Sequence, residues 1–315
     1  MEGHIETIDE LNDIVRKGDF PLLVNQEESR HVARIVRIAE RVAAHVPAIR
    51  LVLVAGPSSA GKTTTAIRLC TRLKENGCEA IRLSTDDYFF GDDETPRDAN
   101  GEFDYESIEA VDCARLVKDL VGLFSGEAVH MRKYDFETHS GYDAKETTTL
   151  SPRGIVVIEG IHALNPRLTE GISEDIKFRV YLNVLTALTP EGFDAFFADD
   201  VRLLRRIVRD ANFRNQSAAS TLARWPSVEA GERKWINPYR RMADAVFNSA
   251  LDYELAVLKP FATDLLCGVE ETDPTFPEAD RLRNILAHVM EAPNEGLPGN
   301  SILRETIGGS HLEYQ

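Results

Sequence analysis

Gly56-Pro57-Ser58-Ser59-Ala60-Gly61-Lys62-Thr63 fits G-x-x-x-x-G-K-[ST] at every defined position. It follows Leu51-Val52-Leu53-Val54-Ala55, a short apolar run typical of a strand buried on both faces of a parallel sheet. A helical pattern follows it and ends at Asn76-Gly77. Strand, glycine-rich turn and helix together are the setting of a phosphate loop. The backbone N–H groups from Gly56 through Ser58, Ser59, Ala60 and Gly61 to Lys62, Thr63 and Thr64 can turn around an anion. The helix N-terminus adds partial positive charge there. Lys62 can reach β- and γ-phosphates, and the Thr63 hydroxyl can bind Mg²⁺. The expected ligands are a nucleoside triphosphate and Mg²⁺.

Further strands fit Ala80–Ser84, Ile155–Glu159, Phe178–Leu182 and Ala245–Asn248, with helical patterns near 107–124, 200–213 and 251–266. Strands alternating with helices predict a doubly wound, mainly parallel α/β sheet of phosphate-loop type. Residues 128–150 break the alternation and read as a β-hairpin added to the main sheet, with its turn around Ser140-Gly141. The expected organisation is an N-terminal helical element (1–48, helices 5–20 and 29–46) and a core (49–268). The core holds the hairpin and an arginine-bearing helical lid (200–226). A C-terminal helix (277–290) and tail complete residues 269–315.

The 315 residues are 43% hydrophobic and 28% charged, an ordinary globular mixture that excludes wholesale disorder. No apolar run reaches membrane-spanning length, and the acidic N-terminus lacks the apolar core of a secretory signal. The four cysteines are too scattered for a disulfide framework, so a reducing, cytoplasmic setting is expected. The net charge of −16 argues against nucleic-acid and membrane partners, and leaves room for a homo-oligomer. Phosphate must therefore be held by a local feature.

No base-reading N-K-x-D is present. Glu159, a single acid before Gly160 at a strand's carboxyl end, suits Mg²⁺ or its water. Asp86 in Ser84-Thr85-Asp86 can accept the proton of an attacking hydroxyl. Residues 86–112 hold eleven acids and one base, Arg97, which favours a neutral acceptor over a phosphorylated one. Asp92, Asp93 and Glu94 read as a solvated loop, whereas Asp104, beside Phe103 and Tyr105, suits neutral hydroxyls. Arg202, Arg206 and Arg209 fall on one helical face, as in a lid closing over phosphates. Tyr134 and Phe136 share a face on a strand, with His139 close by.

GPSSAGKTT, LSTDDYF, FDYESIEA, YDFETHS, IEGIHAL and RLLRRIVRD occur in one order between about Arg50 and Leu258. Together they resemble the uridine kinase and phosphoribulokinase family, especially its bacterial nucleoside kinase-like members. The resemblance implies a kinase moving the ATP γ-phosphate to a small acceptor, most simply the 5′-hydroxyl of a uridine- or cytidine-like nucleoside. It implies Asp86 as base with Lys62, Arg206 and Arg209 in catalysis, and Thr63 and Glu159 near Mg²⁺. Asp104 would meet the ribose, and Tyr134, Phe136 and His139 the nucleobase. Two positions depart from the family pattern. Tyr88-Phe89 reverses a Phe-Tyr pair, and Gln216 stands where a further lid arginine is expected. The same chemistry on another polyol, or a nucleotide-binding regulatory module, remains open at this point.

Overall fold

A computed structural model describes residues 5–98, 101–136, 138–186, 188 and 197–314. The chain begins with α1 (Ile8–Lys17) and α2 (Phe20–Ala43), then enters β1 (Leu51–Ala55) and α3 (Lys62–Glu75). There follow β2 (Ala80–Ser84), α4 (Cys113–Phe124), β3 (Val129–Asp135), β4 (Ser140–Thr148), β5 (Ile155–Gly160) and β6 (Lys177–Asn183). The second half holds α5 (Ala198–Phe213), α6 (Ala218–Gly231), β7 (Ala245–Asn248), α7 (Glu254–Cys267), α8 (Phe276–Ala287) and the single turn α9 (Arg304–Ile307).

The main sheet runs β2-β5-β1-β6-β7 with every pairing parallel. Its central strand β1 is buried along its whole length, which explains the uninterrupted apolar run. Because side chains alternate, Val52 and Val54 face Leu69, Leu73, Ile35 and Val42 of α3 and α2. Leu51 and Leu53 face the other way, into a cluster with Leu116 and Leu120 of α4 and Met131 of β3. A third cluster, mainly from helices, joins α1, α2, α5, α6, α7 and α8 around Leu204, Ile207, Leu255, Leu258 and Leu282. Among the described residues, no helix is long and apolar enough to cross a membrane.

Parallel strands leave one end of the sheet, outside their carboxyl ends, as the place for ligands. Here β1, β2 and β5 deliver the glycine-rich loop, a tight turn at Thr85–Tyr88 and Glu159 to that end.

Three expectations need revision. The hairpin β3–β4 is a separate two-stranded antiparallel sheet and pairs with no main-sheet strand. Its reversal lies just before Ser140, since Asp135 pairs with Ser140 and Tyr134 with Gly141. Glu137 of the predicted hairpin lies outside the described residues, as do residues 1–4 and Gln315 at the ends of the chain. Helix α2 starts nine residues before the predicted 29, with Pro21 in its first turn. The polar string that hid its start is buried by tertiary partners: Tyr253 Oη donates to Glu28 at 2.7 Å, and the Asp252 N–H to Glu27 Oε2 at 3.5 Å. Beyond α8, residues 293–314 turn back through α9 onto the phosphate-loop end of the sheet, with Ile302 and Leu303 in the helical core.

Candidate active site

The loop after β1 is moulded by its contacts. Gly56 lies against β6, where an added Cβ would stand 2.0 Å from the Leu182 carbonyl oxygen. Gly61 opens α3 with φ +86°, a left-handed conformation that favours glycine. Ala60 is buried behind the turn. Ser59 has φ +58°, and its buried hydroxyl has no hydrogen-bond partner within the protein. A loop with an unpaired buried donor at the start of a helix is shaped for an oxyanion.

Lys62 Nζ rests on the Pro57 carbonyl at 2.9 Å. Burial lowers the Lys62 ammonium below its ordinary range, while Glu159, Asp86 and Glu305 oppose that shift. Thr63 Oγ1 donates to Glu159 Oε1 at 3.1 Å, and Arg82 stands 3.6 Å from the same oxygen. Burial, reinforced by the neighbouring Asp86 carboxylate, pushes Glu159 up to about 7.

Asp86 sits in the turn after β2. Its N–H donates to Ser84 Oγ at 3.3 Å, and Thr85 Oγ1 donates to its Oδ1 at 3.4 Å. Gly160 makes this turn fit, because a Cβ there would lie 1.8 Å from Thr85 Oγ1. Adjacent strands β2 and β5 therefore present Asp86 and Glu159 side by side. Burial raises Asp86 above the usual carboxylate range, against the pull of Lys62 and Arg214. A carboxylate so raised is a better proton acceptor than a solvated one.

The arginine helix is docked rather than standing off as a one-faced lid. Arg202 is fully buried, holding Glu232 at 2.7 Å and the Ser58 carbonyl at 3.3 Å. Arg205, which the periodicity did not single out, is also buried. It holds both oxygens of Glu254 at 2.6 and 3.0 Å and reaches the Ser59 carbonyl at 3.4 Å. Its signal in the sequence is Glu254 inside the apolar stretch Leu251–Leu258, an acid that needs a buried partner. Arg206 Nη1 donates to Ser58 Oγ at 2.9 Å, and Arg209 is held by Asp210 at 2.6 Å. Arg209 beside it, together with burial, brings Arg214 down to about 10. Arg206 too is lowered, first by burial and then by Arg209, and incoming phosphate charge would offset both shifts.

Across from the arginines lies the acidic segment. Asp104 is pinned through its backbone, its N–H on the Pro96 carbonyl at 2.8 Å and its carbonyl taking Ser107 N–H at 3.2 Å. Glu106, also missed in the sequence, lies among Arg206, Lys62, Asp104 and Asp86, and burial raises it above the usual carboxylate range. Close approach of Gly231 in α6 confines it.

An aromatic group completes this end. Tyr134 and Phe136 meet edge to face at 5.0 Å, Phe89 lies 5.9 Å from Tyr134 and 5.5 Å from Tyr105, and Phe136 is exposed. His139, in the reversal with φ +50°, has Nδ1 3.0 Å from Tyr105 Oη and 3.3 Å from Asp92 Oδ1. Asp92 is thus engaged with the ring cluster, contrary to its reading as merely solvated. Tyr88 is core, donating to Asp119 at 3.1 Å, which leaves Phe89 on the open side. The reversed Tyr88-Phe89 pair does cost that side a hydroxyl, and Tyr105 supplies another nearby. Gln216 spends its side-chain oxygen on Ser220 at 2.9 Å.

Glycine-rich loop, paired acids, hairpin and arginine helix all lie between β1 and α7. The family model described as Phosphoribulokinase / Uridine kinase family matches residues 51–256, from the start of β1 into α7. The chain belongs to that family. Membership in the Phosphoribulokinase / Uridine kinase family makes it an ATP-dependent phosphotransferase. It is 29% identical over 194 residues to a uridine kinase of Deinococcus deserti, covering 61% of this chain and 84% of that one. It is 27% identical over 212 residues to a uridine kinase of Staphylococcus aureus, covering 67% and 92%. Its fold is similar to that of a putative fructose transport system kinase from Silicibacter, with TM-score 0.50 and 17% identity over 68% of this chain and 98% of that one.

A cavity of about 370 Å³ lies elsewhere, between α5 and the start of α7, lined by Leu188, Val201, Leu251 and Leu255 among others. None of the residues that line it belongs to the phosphate loop.

Proposed function

We propose that this kinase phosphorylates the 5′-hydroxyl of a free nucleoside, with a pyrimidine such as uridine or cytidine as the favoured base. The observation that carries the reading is the ring cluster of Phe89, Tyr105, Tyr134 and Phe136 with His139 at its edge, beside Asp104 and Asp86. Rings set edge to face and one imidazole suit a flat heterocycle with a polar rim. A sugar phosphate or an open-chain polyol has little use for them. The surrounding acids favour a neutral acceptor. The uridine kinases to which the chain is similar support the same choice.

In this reading Asp104 takes the ribose hydroxyls and Asp86 accepts the proton of the 5′-hydroxyl as it attacks the γ-phosphorus. Lys62 neutralises charge on the β- and γ-phosphates, and Arg206 and Arg209 meet charge on the transferring group. Thr63 and Glu159 fit a Mg²⁺ ion, a hydroxyl and a buried carboxylate being donors of the kind such a cation takes. Among the described residues no cluster of three or more His, Cys, Asp or Glu side chains could hold a metal unaided. The ion would therefore share its ligands with the donor phosphates, where it screens their charge.

The test is a phosphorylation panel of uridine, cytidine, purine nucleosides and non-aromatic polyols with ATP and Mg²⁺, using Lys62→Ala as an inactive control. Turnover of nucleosides is expected. His139→Ala should alter the ranking of bases more than the overall rate, because a site that bonds a ring edge discriminates through unpaired polar groups. Turnover of a polyol with none of any nucleoside would overturn the reading.

A further inference from the structure

The amino end of α3 is already occupied by the chain itself. Thr64 donates to Glu305 Oε2 twice, from its backbone N–H at 3.3 Å and from its hydroxyl at 2.6 Å. Tyr314 Oη lies 3.2 Å from the same hydroxyl, and Ser310 Oγ stands 3.1 Å behind it. Ile302 closes over Gly61, where an added Cβ would be 2.1 Å from Ile302 Cδ1. At the other end of the segment, Arg82 donates to the Tyr314 carbonyl at 3.1 Å while remaining 3.6 Å from Glu159. Residues 302–314 thus touch the loop, the helix start and the arginine next to the magnesium-side acid.

The Thr64 N–H is one of the first-turn amides that a helix cannot satisfy internally. In a phosphate loop, such amides cradle the α- and β-phosphates of the donor. A carboxylate bonded to both the amide and the hydroxyl of Thr64 stands where a phosphate oxygen of the donor would otherwise be.

We propose that residues 302–314 form an intrinsic competitor of the donor nucleotide, with the Glu305 carboxylate occupying the α-phosphate position at Thr64. ATP binds by expelling that carboxylate. The apparent ATP affinity is then the intrinsic affinity scaled down by the fraction of molecules in which Glu305 has let go. This inference rests on the family's use of ATP and is independent of which acceptor is phosphorylated. The competing account is a purely structural cap, in which Glu305 only neutralises the helix end.

The two accounts separate by calorimetric titration of the full chain with ATP and ADP, comparing wild type with Glu305→Ala and Glu305→Gln. Competition predicts about ten-fold tighter binding of both nucleotides to Glu305→Ala, since a charge-assisted contact no longer has to be broken. Glu305→Gln, which keeps the shape without the charge, should fall between. Unchanged or weaker nucleotide binding in both variants overturns the proposal. Hydrogen exchange in the wild type needs no substitution. Saturating ATP should reduce protection across residues 302–314, and unchanged or increased protection there counts against displacement. Failure of all three proteins to bind ATP would overturn the donor reading as well. Tight ATP binding without turnover of any nucleoside would overturn only the proposed acceptor.

Discussion

Arg206 Nη1 donates to Ser58 Oγ at 2.9 Å, so the arginine helix is latched to the phosphate loop by a contact that a γ-phosphate can compete for. Arg206→Ala should lower kcat by about 10²-fold or more with little change in acceptor KM, since its charge is needed most in the transition state. Arg206→Lys should recover only part of the loss, because an ammonium cannot span loop and phosphate as a guanidinium does. Steady-state kinetics of the two variants decides it. Wild-type turnover in Arg206→Ala would make the contact to Ser58 purely structural.

Asp86 is the group expected to receive the hydroxyl proton. Asp86→Asn should retain ATP binding and lower kcat by about 10²–10⁴, the usual contribution of a positioned general base. A change confined to acceptor KM would make Asp86 a binding residue and leave the base elsewhere.

Arg205 and Glu254 form a buried bidentate pair beneath the loop. Removing only one partner leaves an uncompensated buried charge, so Arg205→Ala should cost about 3–5 kcal/mol in denaturant unfolding. The double variant Arg205→Met with Glu254→Met should be far less destabilised than the sum of its single changes. Additive losses would show that the pair contributes no coupling.

His31 lies fully buried in α2, with Nε2 2.9 Å from the Ala250 carbonyl, and burial holds its pKa down at about 3. The unfolded chain takes up that proton near 6.5 while the folded protein does not until about 3. Between those values the unfolded state binds more protons, so stability falls as pH drops through this window. At pH 5 the contribution lost is about 2 kcal/mol. Unfolding midpoints of wild type and His31→Gln from pH 8 to pH 4 should therefore converge on acidification. Parallel curves would remove His31 from the acid response.

Strands β2 and β7 run over the residues expected for them, because short apolar runs bounded by turns leave little choice. The strand, turn and helix around the glycine-rich loop were equally legible, being local in sequence. What escaped was set by distant partners. Arg205 looks like any exposed arginine until Glu254, 49 residues on, is placed beside it. Glu305 and Tyr314 lie 241 and 250 residues from Thr64, and no spacing rule joins them. The start of α2 was hidden because Glu27 and Glu28 read as surface until Asp252 and Tyr253, 225 residues on, are placed beside them.

The hairpin β3–β4 shares no backbone pairing with the parallel sheet. Side chains alone hold it there: Met131 and Tyr134 are buried in one core cluster with Leu51 and Leu53 of β1. On the reading proposed above, the hairpin carries part of acceptor recognition on a piece of chain separate from the glycine-rich loop. On that reading, substitutions within residues 129–148 would change which acceptor is taken without touching the glycine-rich loop itself.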